Sequence, residues 1–176
     1  TWVRQRSTNR AFGIDLDGPT LEYGRKNHVE KLGAKSSRVE LLEAEVLDVT
    51  SPKADVIAAM NFSYLVFTTR PGLQRYFAVA RNSLTDEGLF ILDLYGGPEA
   101  MIPQEEETDY TDFVYSWDQD AYNPVTHDVV NYIHFSFPRG GGNLRRAFTY
   151  EWRLWTIPEI RELLGEAGFR KITVYW

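Results

Sequence analysis

Four short, nearly continuous apolar runs punctuate the chain: AFGIDL at 11–16, VELLEAEV at 39–46, ADVIAAM at 54–60 and LFILDLY at 89–95. Turn formers such as Gly18-Pro19 and Ser51-Pro52 bound them, which predicts buried strands. A helix is expected from Leu21, directly after the first strand and its tight turn. Leu73, Tyr76, Phe77, Ala80 and Leu84 recur at helical spacing ahead of Gly88, which predicts a second helix before LFILDLY. Near the end, Thr156 and Glu159 form a capping-box signature before Ile160, Leu163, Leu164 and Ala167. Gly168 stops that helix, and RKITVYW is expected to enter a strand.

Strands alternating with helices predict a parallel sheet covered on both faces, because parallel neighbours need crossover connections. The expected fold class is therefore α/β, with a doubly wound, mostly parallel sheet. Residues 110–155 break the pattern. Phe113, Tyr115 and Trp117 alternate with polar residues, as do Ile133, Phe135 and Phe137, and then Phe148, Tyr150 and Trp152. An antiparallel three-strand insertion is expected there, joined at Asn123-Pro124 and at 139–143. The acidic patch Glu105 to Glu107 reads as a solvated loop. Gly140 to Gly142 read as a hairpin turn and not a phosphate loop, because no helix follows them.

Composition narrows the picture. A chain of 176 residues, 43% hydrophobic, can bury one sizeable core, so a single domain over 1–176 is expected. A net charge of -6 with no Lys/Arg cluster disfavours nucleic acid as a partner. No apolar run approaches the roughly 20 residues of a membrane helix, and TWVRQRSTNR lacks the apolar core of a signal peptide, so a cytoplasmic protein without membrane attachment is expected. The absence of cysteine removes disulfides and thiolate chemistry, and three scattered histidines offer no metal-ligand spacing, so no metal site is expected.

Open α/β sheets bind ligands outside the carboxyl ends of their strands. That rule selects Asp15, Glu45, Met60 with Asn61, and Asp93 with Tyr95. Asp15 can accept hydrogen bonds from ribose hydroxyls, or it can serve as a turn acid, with Asp17 competing for the capping role beside Gly18. Asn61-Phe62-Ser63-Tyr64 fits either a helix-capping loop or an active-site wall. His28 falls on a surface helix and His127 in a hairpin turn. His134 alternates with Tyr132 and Ser136, where a substrate-facing role and a plain exposed face both fit.

The ordered set GIDLDGPTLEYG (13–24), LLEAEVLDV (41–49), ADVIAAMNFSY (54–64) and WTIPEIRELLGEAGF (155–169) resembles class I S-adenosylmethionine-dependent methyltransferases, from their second strand onward. The resemblance implies a Rossmann-like sheet, incomplete here at both ends, with Arg4 to Asn9 as the tail of the family's first helix. It implies that Asp15 binds the cofactor ribose and that Leu16 packs on the adenine. By the same likeness Glu45 faces the adenine amino group, the Val46 backbone N–H lies near a ring nitrogen, and Met60 and Asn61 lie beside the methionine part. The implied activity is methyl transfer to an acceptor, expected to be a small molecule. Such a displacement draws its acceleration chiefly from orientation, so no catalytic triad is required. Tyr64, Tyr95 and His134 are the candidates for groups near the acceptor. Two other readings stay open: a nicotinamide-dependent oxidoreductase, which also uses a second-strand acid, and a non-catalytic binding module of the same fold. Glu45 and the NFSY cluster weigh against the first, and intact Asp15, Glu45 and Asn61 against the second.

Overall fold

The computed structural model describes residues 2–175. The chain divides into two compact units, one running up to Pro52 and the other from Lys53 onward.

The first unit contains α1 (Trp2–Gln5), β1 (Ala11–Asp15), α2 (Gly18–Gly24) and β2 (Val39–Glu43). The helix expected over Arg4 to Asn9 ends at Gln5, and the residues after it form a turn. β1 and β2 pair in parallel, with Ala11 opposite Val39 and Asp15 opposite Glu43. Helical turns continue past α2 through Arg25–Val29 and Glu30–Arg38, broken where Gly33 takes a φ of 60°. The Arg38 guanidinium donates to the Arg6 carbonyl at 2.6 Å, tying the turn after α1 to the entry of β2. Gly18 is required by a close approach: a Cβ there would lie 2.7 Å from Oε2 of Glu43.

The second unit contains β3 (Ala54–Ala59), α3 (Arg70–Asn82), β4 (Leu84–Leu92), β5 (Gln104–Asp109), β6 (Val114–Tyr122), β7 (Asp128–Phe137), β8 (Gly142–Arg153) and α4 (Ile157–Glu166). β3 and β4 are parallel, with α3 as their crossover. Thr69 caps α3 by accepting the Gly72 N–H, and Pro71 occupies the first turn, where its missing N–H costs nothing. The core sits where Leu73, Phe77 and Ala80 of α3 and Ile160, Leu163 and Leu164 of α4 are buried. Phe90 of β4 meets Tyr76 and Phe77 at ring distances of 6.2 and 6.0 Å, which fixes the face of the pair that α3 covers. The other face carries Val56, Leu89 and Ile91, which are 46, 55 and 43% exposed.

β5, β6, β7 and β8 form one antiparallel sheet in that order. The insertion thus has four strands, not the three expected, and it begins at Gln104. The acidic patch at 105–107 lies in β5 and not in a solvated loop, with Glu106 opposite Trp117 of β6. The acidic side chains point to solvent from an edge strand, and charge on an edge opposes pairing with another chain. A second difference concerns RKITVYW: residues 170–175 form no strand, because no described strand lies beside them to complete a ladder, and Trp176 lies outside the described residues. Among the described residues no helix is long and apolar enough to cross a membrane.

Candidate functional site

In the first unit, β1 ends at Asp15, and the chain turns through Leu16 and Asp17 into α2. Asp17 takes the capping role, accepting the Thr20 N–H at 2.9 Å. Asp15 accepts the Asp17 N–H at 3.0 Å through Oδ1 and stays exposed, so its carboxylate keeps lone pairs for a ligand. Leu16 is 65% exposed beside it, an apolar surface with no packing duty of its own. Past β2, Glu45 opens a single 3-10 turn, Val46–Asp48, and its side chain accepts the Leu47 N–H at 3.4 Å. Val46 stands first in that turn, where a backbone N–H has no partner within the turn itself.

In the second unit, the carboxyl ends of β3 and β4 meet at one side chain. Asn61 and Phe62 follow β3 with φ of 57° and 56°, the left-handed region that costs a non-glycine residue on the order of 1 kcal/mol or more. Asp93, just past β4, accepts both of their N–H groups at 2.9 Å, one on each carboxylate oxygen. Its carbonyl accepts the Tyr64 hydroxyl at 2.7 Å. Tyr64 is 1% exposed, and burial, reinforced by the charge of Asp93, pushes its pKa up, which keeps it a neutral donor. Met60, by contrast, is 50% exposed.

Phe62 carries this loop to the antiparallel sheet. Its ring lies 5.5 Å from Tyr95 and 6.4 Å from Trp152. The register puts Trp117, Gln119, Asn131, Tyr150 and Trp152 on one face, since residues directly opposite share a face and it alternates along each strand. Tyr95 packs against Trp117 and Trp152 at 5.9 and 6.3 Å, and its hydroxyl donates to Oε1 of Gln119. Burial pushes the Tyr95 pKa up, opposed by Trp117 and helped by Glu106. The Gln119 amide nitrogen donates to the Glu99 and Ile102 carbonyls at 2.9 and 3.0 Å, so this side chain organises the segment after Tyr95. Asn131 is 2% exposed, and its amide nitrogen has no hydrogen-bond partner.

His134 projects from the opposite face with Tyr132 and Ser116. Its Nδ1 accepts the Arg146 N–H at 2.7 Å, so Nε2 carries the proton and donates to Asp118 at 3.0 Å. Tyr64, Tyr95 and His134 are therefore not brought together: one lies in the core, one on the aromatic face, one on the face behind it. Asp93 and Gln119 hold the loop and the aromatic face, and neither was among the expected binding or catalytic residues. The place of Asp93 at a strand's carboxyl end marks it in the sequence, but no sequence signal marks Gln119. Among the described residues no cluster of His, Asp and Glu could hold a metal ion.

No family model matches this chain, and no curated protein matches it. Solved structures do. An S-adenosylmethionine-dependent methyltransferase from Clostridium acetobutylicum ATCC 824 superposes with a TM-score of 0.73 at 20% identity, over 90% of this chain and 63% of that one. The CcbJ methyltransferase from Streptomyces caelestis gives 0.73 at 15% identity, over 89 and 62%. An amino pentose methyltransferase from Micromonospora echinaspora, solved with S-adenosylmethionine bound, gives 0.68 at 13% identity, over 90 and 65%. The chain spans less than two thirds of the length of each of these. It has the fold of class I S-adenosylmethionine-dependent methyltransferases.

Proposed function

We propose, taking that fold as premise, that this protein transfers a methyl group from S-adenosylmethionine to a small-molecule acceptor. The observation that carries the reading is Asp15: an exposed carboxylate at the carboxyl end of β1, freed from helix capping by Asp17. Asp15 would hold the two ribose hydroxyls, which need an acceptor with spare lone pairs. Leu16 would cover the adenine ring with its exposed apolar surface, with Glu45 and the Val46 N–H at the ring's polar edge. Met60 and the backbone of Asn61 would line the methionine part. The cofactor supplies an activated methyl group, so the protein's task is to orient the acceptor and exclude water.

The acceptor side is assigned to the aromatic face of the sheet. Tyr95, Trp117 and Tyr150, half-buried and packed on the buried Trp152, give flat apolar walls suited to a ring-shaped molecule. Tyr95 is the catalytic candidate kept beside the acceptor, since of the three it packs on the aromatic face, whereas Tyr64 lies in the core and His134 on the opposite face. A small-molecule acceptor also accords with the net charge of -6, which would repel phosphate backbones.

Calorimetric titration of S-adenosylhomocysteine into the full chain tests the reading. Micromolar binding is expected, weakened about 10- to 100-fold by Asp15→Ala, the scale of one hydrogen bond to a charged group at ~1.5–3 kcal/mol. NADH should give no heat. A folded full chain that ignores S-adenosylhomocysteine sinks the methyltransferase, and tight NADH binding in its place installs an oxidoreductase.

A further inference from the structure

We infer that Asp93 is a positioning residue: its carboxylate locks Asn61 and Phe62 in the left-handed conformation and so presets the loop that receives the methionine part of the cofactor. The inference rests on the proposed methyltransferase reading and adds a residue to it. Two consecutive non-glycine residues at φ of 57° and 56° do not hold that conformation unaided. Here the chain reversal points both N–H groups into the carboxylate, at 2.9 Å each. The same residue's carbonyl takes the Tyr64 hydroxyl, so three of the four residues of the NFSY segment bond to Asp93. The arrangement is directional. With the two amides turned toward Asp93, the Asn61 side chain and the Met60 end of the loop remain exposed, while the Phe62 ring faces Tyr95 and Trp152. Asp93 thereby sets, through one carboxylate, both the loop proposed to meet the cofactor and the aromatic residue that joins it to the proposed acceptor face. It touches neither ligand.

Asp93→Asn keeps size and shape but replaces one acceptor oxygen with an NH₂ donor, which cannot bond a second N–H. Glycine at 61 tolerates a positive φ without help. In the full chain, S-adenosylhomocysteine titrated calorimetrically well below the melting temperature should bind Asp93→Asn at least tenfold more weakly than wild type. Asp93→Asn combined with Asn61→Gly should bind within about threefold of Asn61→Gly alone, a comparison in which any contact of the Asn61 side chain cancels. Leu73→Ala, which truncates a fully buried side chain of α3, supplies the structural comparison: it should lower Tm and leave affinity unchanged. Wild-type affinity in Asp93→Asn overturns the inference, as does a tenfold loss that glycine at 61 fails to repair. Should Asp93→Asn not fold alone, the comparison is made between Asn61→Gly and the double variant, where a gap below threefold supports the inference and a larger one overturns it. If the wild-type chain itself ignores S-adenosylhomocysteine, the methyltransferase reading has failed; if the wild type binds and these variants behave otherwise, only the role of Asp93 has.

Discussion

His134 sits where β8 departs from its partner. The β7–β8 register shifts between Ile133 and Phe135, and Arg146 takes a φ of 52° in the bulge. A bulge leaves a backbone N–H without its ladder partner, and Nδ1 of His134 supplies one. The other nitrogen bonds Asp118, so the ring is a buried staple, 3% exposed. His134→Ala is expected to cost roughly 1–3 kcal/mol, because it leaves the part-buried Arg146 N–H without its acceptor and empties a buried site, and to lower the urea midpoint with an unchanged m-value. A variant as stable as the wild type would remove the staple and return His134 to the list of free bases. Alternation groups this residue with Tyr132 and Ser136 on one face, but the plain exposed face that the sequence allows is not what forms, since the ring is buried. Its occupation could not be read from the sequence, since the partner is a main-chain N–H presented by a positive φ. Asp93 follows the same logic: Asn61 is a residue that tolerates the left-handed region, but Phe62 gives no such sign, so the clasp is invisible before the backbone is known.

Among the elements, α4 was the most legible. Thr156 accepts the Glu159 N–H at 3.4 Å, and the Glu159 carboxylate returns a bond to the Thr156 N–H at 2.8 Å. Burial pushes the Glu159 carboxyl up, but the two Thr156 bonds, Arg153 and His127 together outweigh it, and its pKa falls below the ordinary 4.5. For an acid with a lowered folded-state value, the stabilisation is complete above pH 4.5 and is lost as the pH falls through the folded value. Thr156→Ala should therefore destabilise by about 1 kcal/mol at neutral pH. Glu159→Gln should do so as well, with its difference from wild type shrinking below pH 4.5 and vanishing only once the pH lies below the lowered folded-state value, in denaturant titrations at stepped pH. A gap that persists in acid would mean that Glu159 acts by packing and not by charge. β5 was illegible for a reason of the opposite kind. Its side chains carry no apolar alternation, and it is a strand because the backbone of β6 lies beside it. Periodicity reports which face is buried, and an edge strand of exposed acids buries neither.

At the scale of the molecule, the buried apolar side chains are divided unequally. Up to Pro52 they are Val3 and Leu21; from Lys53 onward they include the α3 and α4 core, Val129, Ile133, Trp152, Leu154 and Trp155. Local stability follows apolar burial, so the first unit should open at lower free energy than the second. Amides of β1 and β2 are expected to exchange with deuterium at least ~10-fold faster than those of β7, which has ladder partners on both sides. The proposed ribose and adenine contacts, Asp15, Leu16, Glu45 and Val46, all lie in that looser unit. A ligand that binds the folded state stabilises whatever it grips, by about 2.7 kcal/mol at a hundredfold excess over Kd. Saturating S-adenosylhomocysteine should therefore slow exchange in β1 and around Glu45 by up to roughly 100-fold and barely change the centre of β7. Hydrogen-exchange mass spectrometry of the full chain reads both regions at once. Protection confined to β7 would place the ligand away from Asp15, and equal exchange in the two units without ligand would refute the unequal stability from which the expectation starts.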